Sequence, residues 1–154
     1  MPPPSNGCSG SEPRKVPLND LSALEFTRLK KLLIMGAGVT DISPLKHLPL
    51  TDLELWCTDV SDISPLKGMH LKRLNIETSE SSRVTDLSPL KGMELESLQF
   101  LANGVTKGIG IVRRMKSLKE INRMKPEEFW KEYDADAPAR EMVAKAGLDL
   151  ATEE

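Results

Sequence analysis

The chain has 154 residues, enough for one compact domain and too few for two. Its 21 basic and 23 acidic side chains leave a formal net charge of −2, so it lacks the basic excess that binding nucleic acid by phosphate neutralisation requires. Leucine occurs 22 times against six aromatic residues, and a core drawn so heavily from one aliphatic side chain points to a repeated packing unit.

Residues 1–17 hold five of the eleven prolines. They have too little apolar surface to offset the entropy of ordering and are expected to form a disordered linker. No basic-then-apolar secretion pattern opens the chain and no apolar run approaches the length of a membrane span, so a cytoplasmic protein without membrane contact is expected. The two cysteines, Cys8 and Cys57, are not spaced as metal ligands or as a disulfide framework. They read as unpaired thiols in a reducing compartment.

Over residues 18–124 two motifs alternate in phase. Asp41-Ile42-Ser43-Pro44-Leu45-Lys46 returns as Asp62-Ile63-Ser64-Pro65-Leu66-Lys67 after 21 residues and as Asp86-Leu87-Ser88-Pro89-Leu90-Lys91 after a further 24. Asp20-Leu21-Ser22-Ala23-Leu24 is a worn earlier copy. Between these words lie Leu29/Leu32/Ile34, Leu50/Leu53/Leu55, Leu71/Leu74/Ile76 and Leu95/Leu98/Phe100, with Leu118/Ile121 as a truncated fifth. The end of this second motif has the period of two that marks a short strand, so Leu53 and Leu55 share one side. In the Ser-Pro pair, Ser suits an N-cap and Pro the first helical position, so a short 3-10 turn is expected there. A return path this short leaves no room for a full α-helix. One unit cannot bury its own leucines, whereas stacked units form a parallel sheet over a continuous apolar column. Recurrence of the aspartates at one place in every unit marks them as turn chemistry rather than a metal site.

Two stretches depart from the pattern. Residues 77–83 carry three extra polar residues, either a tolerated loop or an edge of a binding surface. Residues 107–115 lack Ser-Pro and are expected to form a genuine helical turn, with Arg113 and Arg114 as solvated charges. In residues 125–150, Pro126 followed by Glu127 and Glu128 is a good helix start. Phe129, Trp130 and Tyr133 are half of all the aromatics and fall on one helix face, as a lid over the last leucines would. A weaker helix is expected over 137–146.

The segment Leu95-Glu96-Ser97-Leu98-Gln99-Phe100-Leu101-Ala102-Asn103-Gly104-Val105 resembles the eleven-residue signature of the leucine-rich repeat family. The resemblance implies an α/β fold: a right-handed solenoid, a horseshoe segment with a parallel β-sheet on its concave face, short 3-10 or helical turns on its convex face and a C-terminal helical cap. In that family the asparagine of the signature hydrogen-bonds backbone between neighbouring turns. The equivalent positions here are Ala37, Thr58, Ser82 and Asn103. The wording Asp-Ile-Ser-Pro-Leu-Lys-Gly-Met and the tail from Leu118 to Asp134 resemble repeat arrays at the C-terminal ends of large multidomain bacterial proteins, many of them serine/threonine kinases. The resemblance brings no catalytic residue with it and implies a binding or scaffolding role.

No nucleophile–base arrangement, phosphate loop or metal-ligand cluster is visible, so no enzyme, cofactor or small-molecule substrate is expected. Gly36/Gly38 and Gly108/Gly110 are glycine pairs at turns. The outward residues of successive strands form three columns: Lys31, Asp52, Arg73, Ser97; Leu33, Glu54, Asn75, Gln99; and Met35, Trp56, Glu77, Leu101. Leu33, Met35, Trp56 and Leu101 are apolar where solvent is expected, rimmed by charge as a binding hot spot is. Alternatively they pack on the N-terminal linker or on one another. The expected function is that of a monomeric, non-catalytic module holding a protein partner through Leu33, Met35, Glu54, Trp56, Arg73, Asn75 and Leu101. The alternative is a regulatory or structural tail of a multidomain kinase or similar enzyme.

Overall fold

A computed structural model describes residues 21–36, 38–78 and 84–139. The 1–17 linker, positions 79–83 of the insertion, and the tail beyond residue 139 lie outside the described residues. Five strands alternate with short turns: β1 (Lys31–Met35), β2 (Asp52–Trp56), β3 (Arg73–Ile76), β4 (Ser97–Phe100) and β5 (Glu120–Ile121). They form one parallel sheet in the order β1-β2-β3-β4-β5. With two short helices, α1 (Ile109–Arg113) and α2 (Pro126–Ala135), the fold is α/β.

The register follows the leucine motif. Leu32, Leu53, Leu74, Leu98 and Ile121 are aligned from strand to strand, as are Ile34 with Leu55 and Ile76 with Phe100. These side chains face the turns and are buried, apart from the half-buried Leu32 at the edge. The other face of the sheet meets solvent, which is why each strand alternates rather than running apolar throughout. Register is reinforced just before each strand. The N–H groups of Thr51, Lys72 and Glu96 donate to the carbonyls of Lys30, Thr51 and Lys72 at 2.7 Å, and Lys119 donates to Glu96 at 2.8 Å. The 24-residue unit keeps this pattern, so its extra residues leave the sheet undisturbed.

The turns behind the sheet are 3-10 at Ser43–His47, Ser64–Leu66 and Ser88–Leu90. The serines lie inside these turns rather than capping them. Aspartate makes the cap: the backbone N–H of Ser43 donates to Asp41 Oδ1, that of Ser64 to Asp62 Oδ1 and that of Ser88 to Asp86 Oδ1, each at 2.8 Å. A carboxylate two residues ahead thus satisfies a donor that a helix start leaves open. These hydrogen bonds hold the Asp41 and Asp86 carboxyls below the usual carboxylate range. The repeated aspartates are therefore committed to turn geometry.

At one end the sheet is covered. Phe129 of α2 is buried with its ring 5.8 Å from that of Phe100 and 4.9 Å from that of Trp130. Tyr133 stacks on Phe129 at 5.9 Å. The helical turn expected near residue 109 is α1, and Arg113 is exposed on it, as expected of a surface charge. Its guanidinium lies 5.0 Å from the centre of the Trp130 ring and pairs with Asp134, tying α1 to α2. Gly108, at φ +85°, passes so close to the preceding unit that a Cβ there would stand 2.6 Å from Leu87 C and Ser88 N. Only glycine fits that crossing.

Candidate functional site: the solvent face of the sheet

The three outward columns can be placed one by one. Lys31, Asp52, Arg73 and Ser97 are aligned across β1 to β4, as are Leu33, Glu54, Asn75 and Gln99. Met35 pairs with Trp56, while Glu77 and Leu101 follow the ends of β3 and β4. Neighbouring positions in a column stand about 4.8 Å apart, one strand spacing.

The apolar part is concentrated on the first two strands. Leu33 is 55% exposed and Met35 68%, values that mark them as solvent-facing rather than core. Trp56 is half-buried beside them, and its indole N–H donates to Glu54 at 2.8 Å. That bond fixes the ring against its own strand, leaving an apolar plane next to two aliphatic side chains. β1 is the edge of the sheet among the described residues, and Phe26, 92% exposed, lies on the loop that leads into it.

The remaining residues of the expected site divide. Glu54 and Arg73 are exposed. Arg73 stands 3.7 Å from Asp52, a surface pair worth roughly 0–1 kcal/mol, and its side chain remains largely in solvent. Asn75 corrects the expectation of an accessible contact: it is only 4% exposed. Its Oδ1 accepts the N–H of Glu77 at 2.9 Å and its Nδ2 donates to Gln99 at 3.3 Å, so its polar groups serve the fold. Leu101 is half-buried and two strands away from Trp56. It lines a separate recess of about 320 Å³ with Glu77, Phe100, Asn103 and Asn122. The compact apolar surface is therefore Leu33, Met35 and Trp56, bordered by Glu54 and, farther across the sheet, Arg73.

An asparagine that the motif did not mark makes a backbone bond between neighbouring units. Asn103 is exposed. Thr58 is fully buried with a hydroxyl that has no hydrogen-bond partner among the described residues. Asn122 instead accepts the Phe100 N–H at 2.8 Å and donates to the Phe100 carbonyl at 3.0 Å. Its φ of +49° is a value asparagine tolerates better than most residues, a signal available only once the local turn is known.

Cys57 directly follows Trp56 with φ +53°, and it is disulfide-bonded. This corrects the reading of Cys57 as an unpaired thiol, since spacing alone carries no information about which thiols meet in the fold. The one other cysteine in the sequence is Cys8, outside the described residues. Among the described residues no group of three His, Cys, Asp or Glu side chains is placed to hold a metal ion, and no helix is long and apolar enough to cross a membrane. No family model, curated protein or solved structure matches the chain.

Proposed function

We propose that this chain is a leucine-rich repeat solenoid acting as a non-catalytic protein-interaction module. Its partner docks on the concave sheet face at Leu33, Met35 and Trp56, with Glu54 and Arg73 at the rim. One observation carries the reading: two large aliphatic side chains stand exposed beside an anchored tryptophan, on a sheet whose other outward positions, apart from the half-buried Leu101, are polar. An aromatic anchor with aliphatic neighbours and a charged border is the composition that contributes most to protein–protein affinity. The rigid parallel sheet supports the proposal, because side chains held in register lose little freedom on binding.

Photo-crosslinking tests this face against the rest of the surface. A benzophenone amino acid replaces Glu54 in one preparation and Lys67, on the turn side, in another. Exposed to a lysate of the native source, the Glu54 probe is expected to give discrete protein adducts that the Lys67 probe does not. Equal labelling from both positions, or none from Glu54, contradicts the proposal.

A further inference from the structure

Where the chain passes from a turn or from α1 to the strand that follows, neighbouring units leave a groove. Three such grooves, of about 320, 270 and 380 Å³, adjoin along the stack. Gly68, Met69 and His70 border both the first and the second. Gly92, Met93 and Glu94 border both the second and the third. We propose that this row of grooves binds an extended acidic segment of a partner protein, its carboxylates held by Lys46, Lys67, Lys91, Arg114 and Lys116. The inference goes beyond the sheet-face reading and does not rest on it.

The walls of the grooves carry those five cations and Lys72 against one carboxylate, that of Glu94. This is a local surplus of five positive charges on a chain whose net charge is −2. Glu94 is already taken by Lys72 at 3.4 Å. Lys46, Lys67, Lys91, Arg114 and Lys116 are exposed and form no ion pair among the described residues. Arg114 spends only its Nε, on the Gly110 carbonyl at 3.2 Å. Cations gathered on one side of a nearly neutral chain raise the local concentration of anionic ligands.

The repeat sets their spacing. Lys46, Lys67 and Lys91 each follow a fully buried leucine, Leu45, Leu66 and Leu90, so the turn that drives the leucine inward leaves the lysine in solvent. The same place is occupied in three consecutive units, with Arg114 and Lys116 continuing the row in the fourth. At one strand spacing per unit the four rungs extend over roughly 14 Å, the reach of about four extended residues.

Backbone donors accompany the cations. Gly68 and Gly92 directly follow Lys67 and Lys91, and nothing lies within 4 Å of where a Cβ would stand on either. Their N–H groups donate to nothing among the described residues. Ammonium groups beside free N–H groups are what a carboxylate-bearing peptide accepts from. No Phe, Tyr or Trp borders the grooves, so a single-stranded nucleic acid lacks its stacking platform there. The exposed large apolar side chains Phe26, Leu33 and Met35 all lie elsewhere, so a lipid surface lacks an apolar anchor.

The test titrates the full, isotope-labelled chain with hexaglutamate at low salt and follows the backbone amides by NMR. Saturable shifts are expected at the Gly68 and Gly92 amides. The Lys46→Gln/Lys67→Gln/Lys91→Gln chain is expected to bind about ten-fold more weakly, as the loss of three exposed charge contacts implies. Lys107→Gln/Lys125→Gln/Lys131→Gln changes the net charge equally away from the grooves, and its affinity is expected to stay within about two-fold of the parent, since salt screens distant charges. Equal weakening in the two triple variants, no saturation, or saturation without shifts at Gly68 and Gly92 overturns the proposal. Tighter binding of hexathymidylate or of phosphatidylserine vesicles than of hexaglutamate overturns it too. The benzophenone probe at Lys67 removes one of the five cations and leaves the sheet face intact, so the two readings fail separately.

Discussion

Asn122 brackets Phe100, accepting its N–H at 2.8 Å and donating to its carbonyl at 3.0 Å. Both groups sit at the end of β4, where β5 is too short to pair with them. Asn122→Ala leaves a buried donor and acceptor unpaired, at a cost of about 1–3 kcal/mol, and Asn122→Asp keeps the acceptor and loses less. Urea denaturation of the three proteins checks the order.

Gly108 and Gly92 share nearly the same φ, +85° and +83°, but only Gly108 has backbone within reach of a Cβ. Alanine at Gly92 meets open space and costs only the left-handed conformation, about 1–2 kcal/mol. Gly108→Ala adds overpacking of about 1–3 kcal/mol. The denaturation midpoint of Gly108→Ala is expected well below that of Gly92→Ala. Equal midpoints contradict the close crossing.

Thr58 buries a hydroxyl without a hydrogen-bond partner among the described residues. Thr58→Val removes that group at nearly constant shape, and a stabilisation of up to about 1 kcal/mol is expected. A loss of stability in the melting curve would reveal a partner for the hydroxyl.

Asp41 and Asp86 have their carboxyls lowered chiefly by hydrogen bonds from Ser43 and Ser88, with Lys107 adding to the effect at Asp86. A carboxyl depressed in the folded chain contributes stability that is complete above its unfolded pKa, near 3.9, and is lost as pH falls through the folded value. The Asp41→Asn/Asp86→Asn protein is therefore expected to lose less stability between neutral pH and pH 3 than the parent. Urea midpoints at the two pH values check it.

The sheet was legible because Leu32, Leu53, Leu74 and Leu98 recur in a sequence pattern whose spacing is the geometry of the stack. The apolar surface was legible as its exception: Leu33, Met35 and Trp56 occupy positions where the pattern calls for polar residues, and Leu33 and Met35 do stand in solvent. What was missed depends on meetings between distant residues. Asn75 looks accessible in its column, yet Gln99 and the Glu77 N–H consume its amide. Arg113 is exposed as expected, but its partners Trp130 and Asp134 reach it only once α2 is in place. Ser-Pro signals a turn start correctly, but the cap is the aspartate two residues earlier, and both choices are compatible with the same words.

The central claim is that Leu33, Met35 and Trp56 form the binding face, and Trp56→Ala tests it most directly. Trp56 is half-buried and outside the leucine column, so far-UV circular dichroism and the melting temperature are expected to stay within the range of surface substitutions, roughly ±0.5 kcal/mol. Proteins captured from the native source by the wild-type chain are expected to be lost from the Trp56→Ala chain when both are quantified by mass spectrometry. Undiminished capture by a folded Trp56→Ala protein would contradict the account.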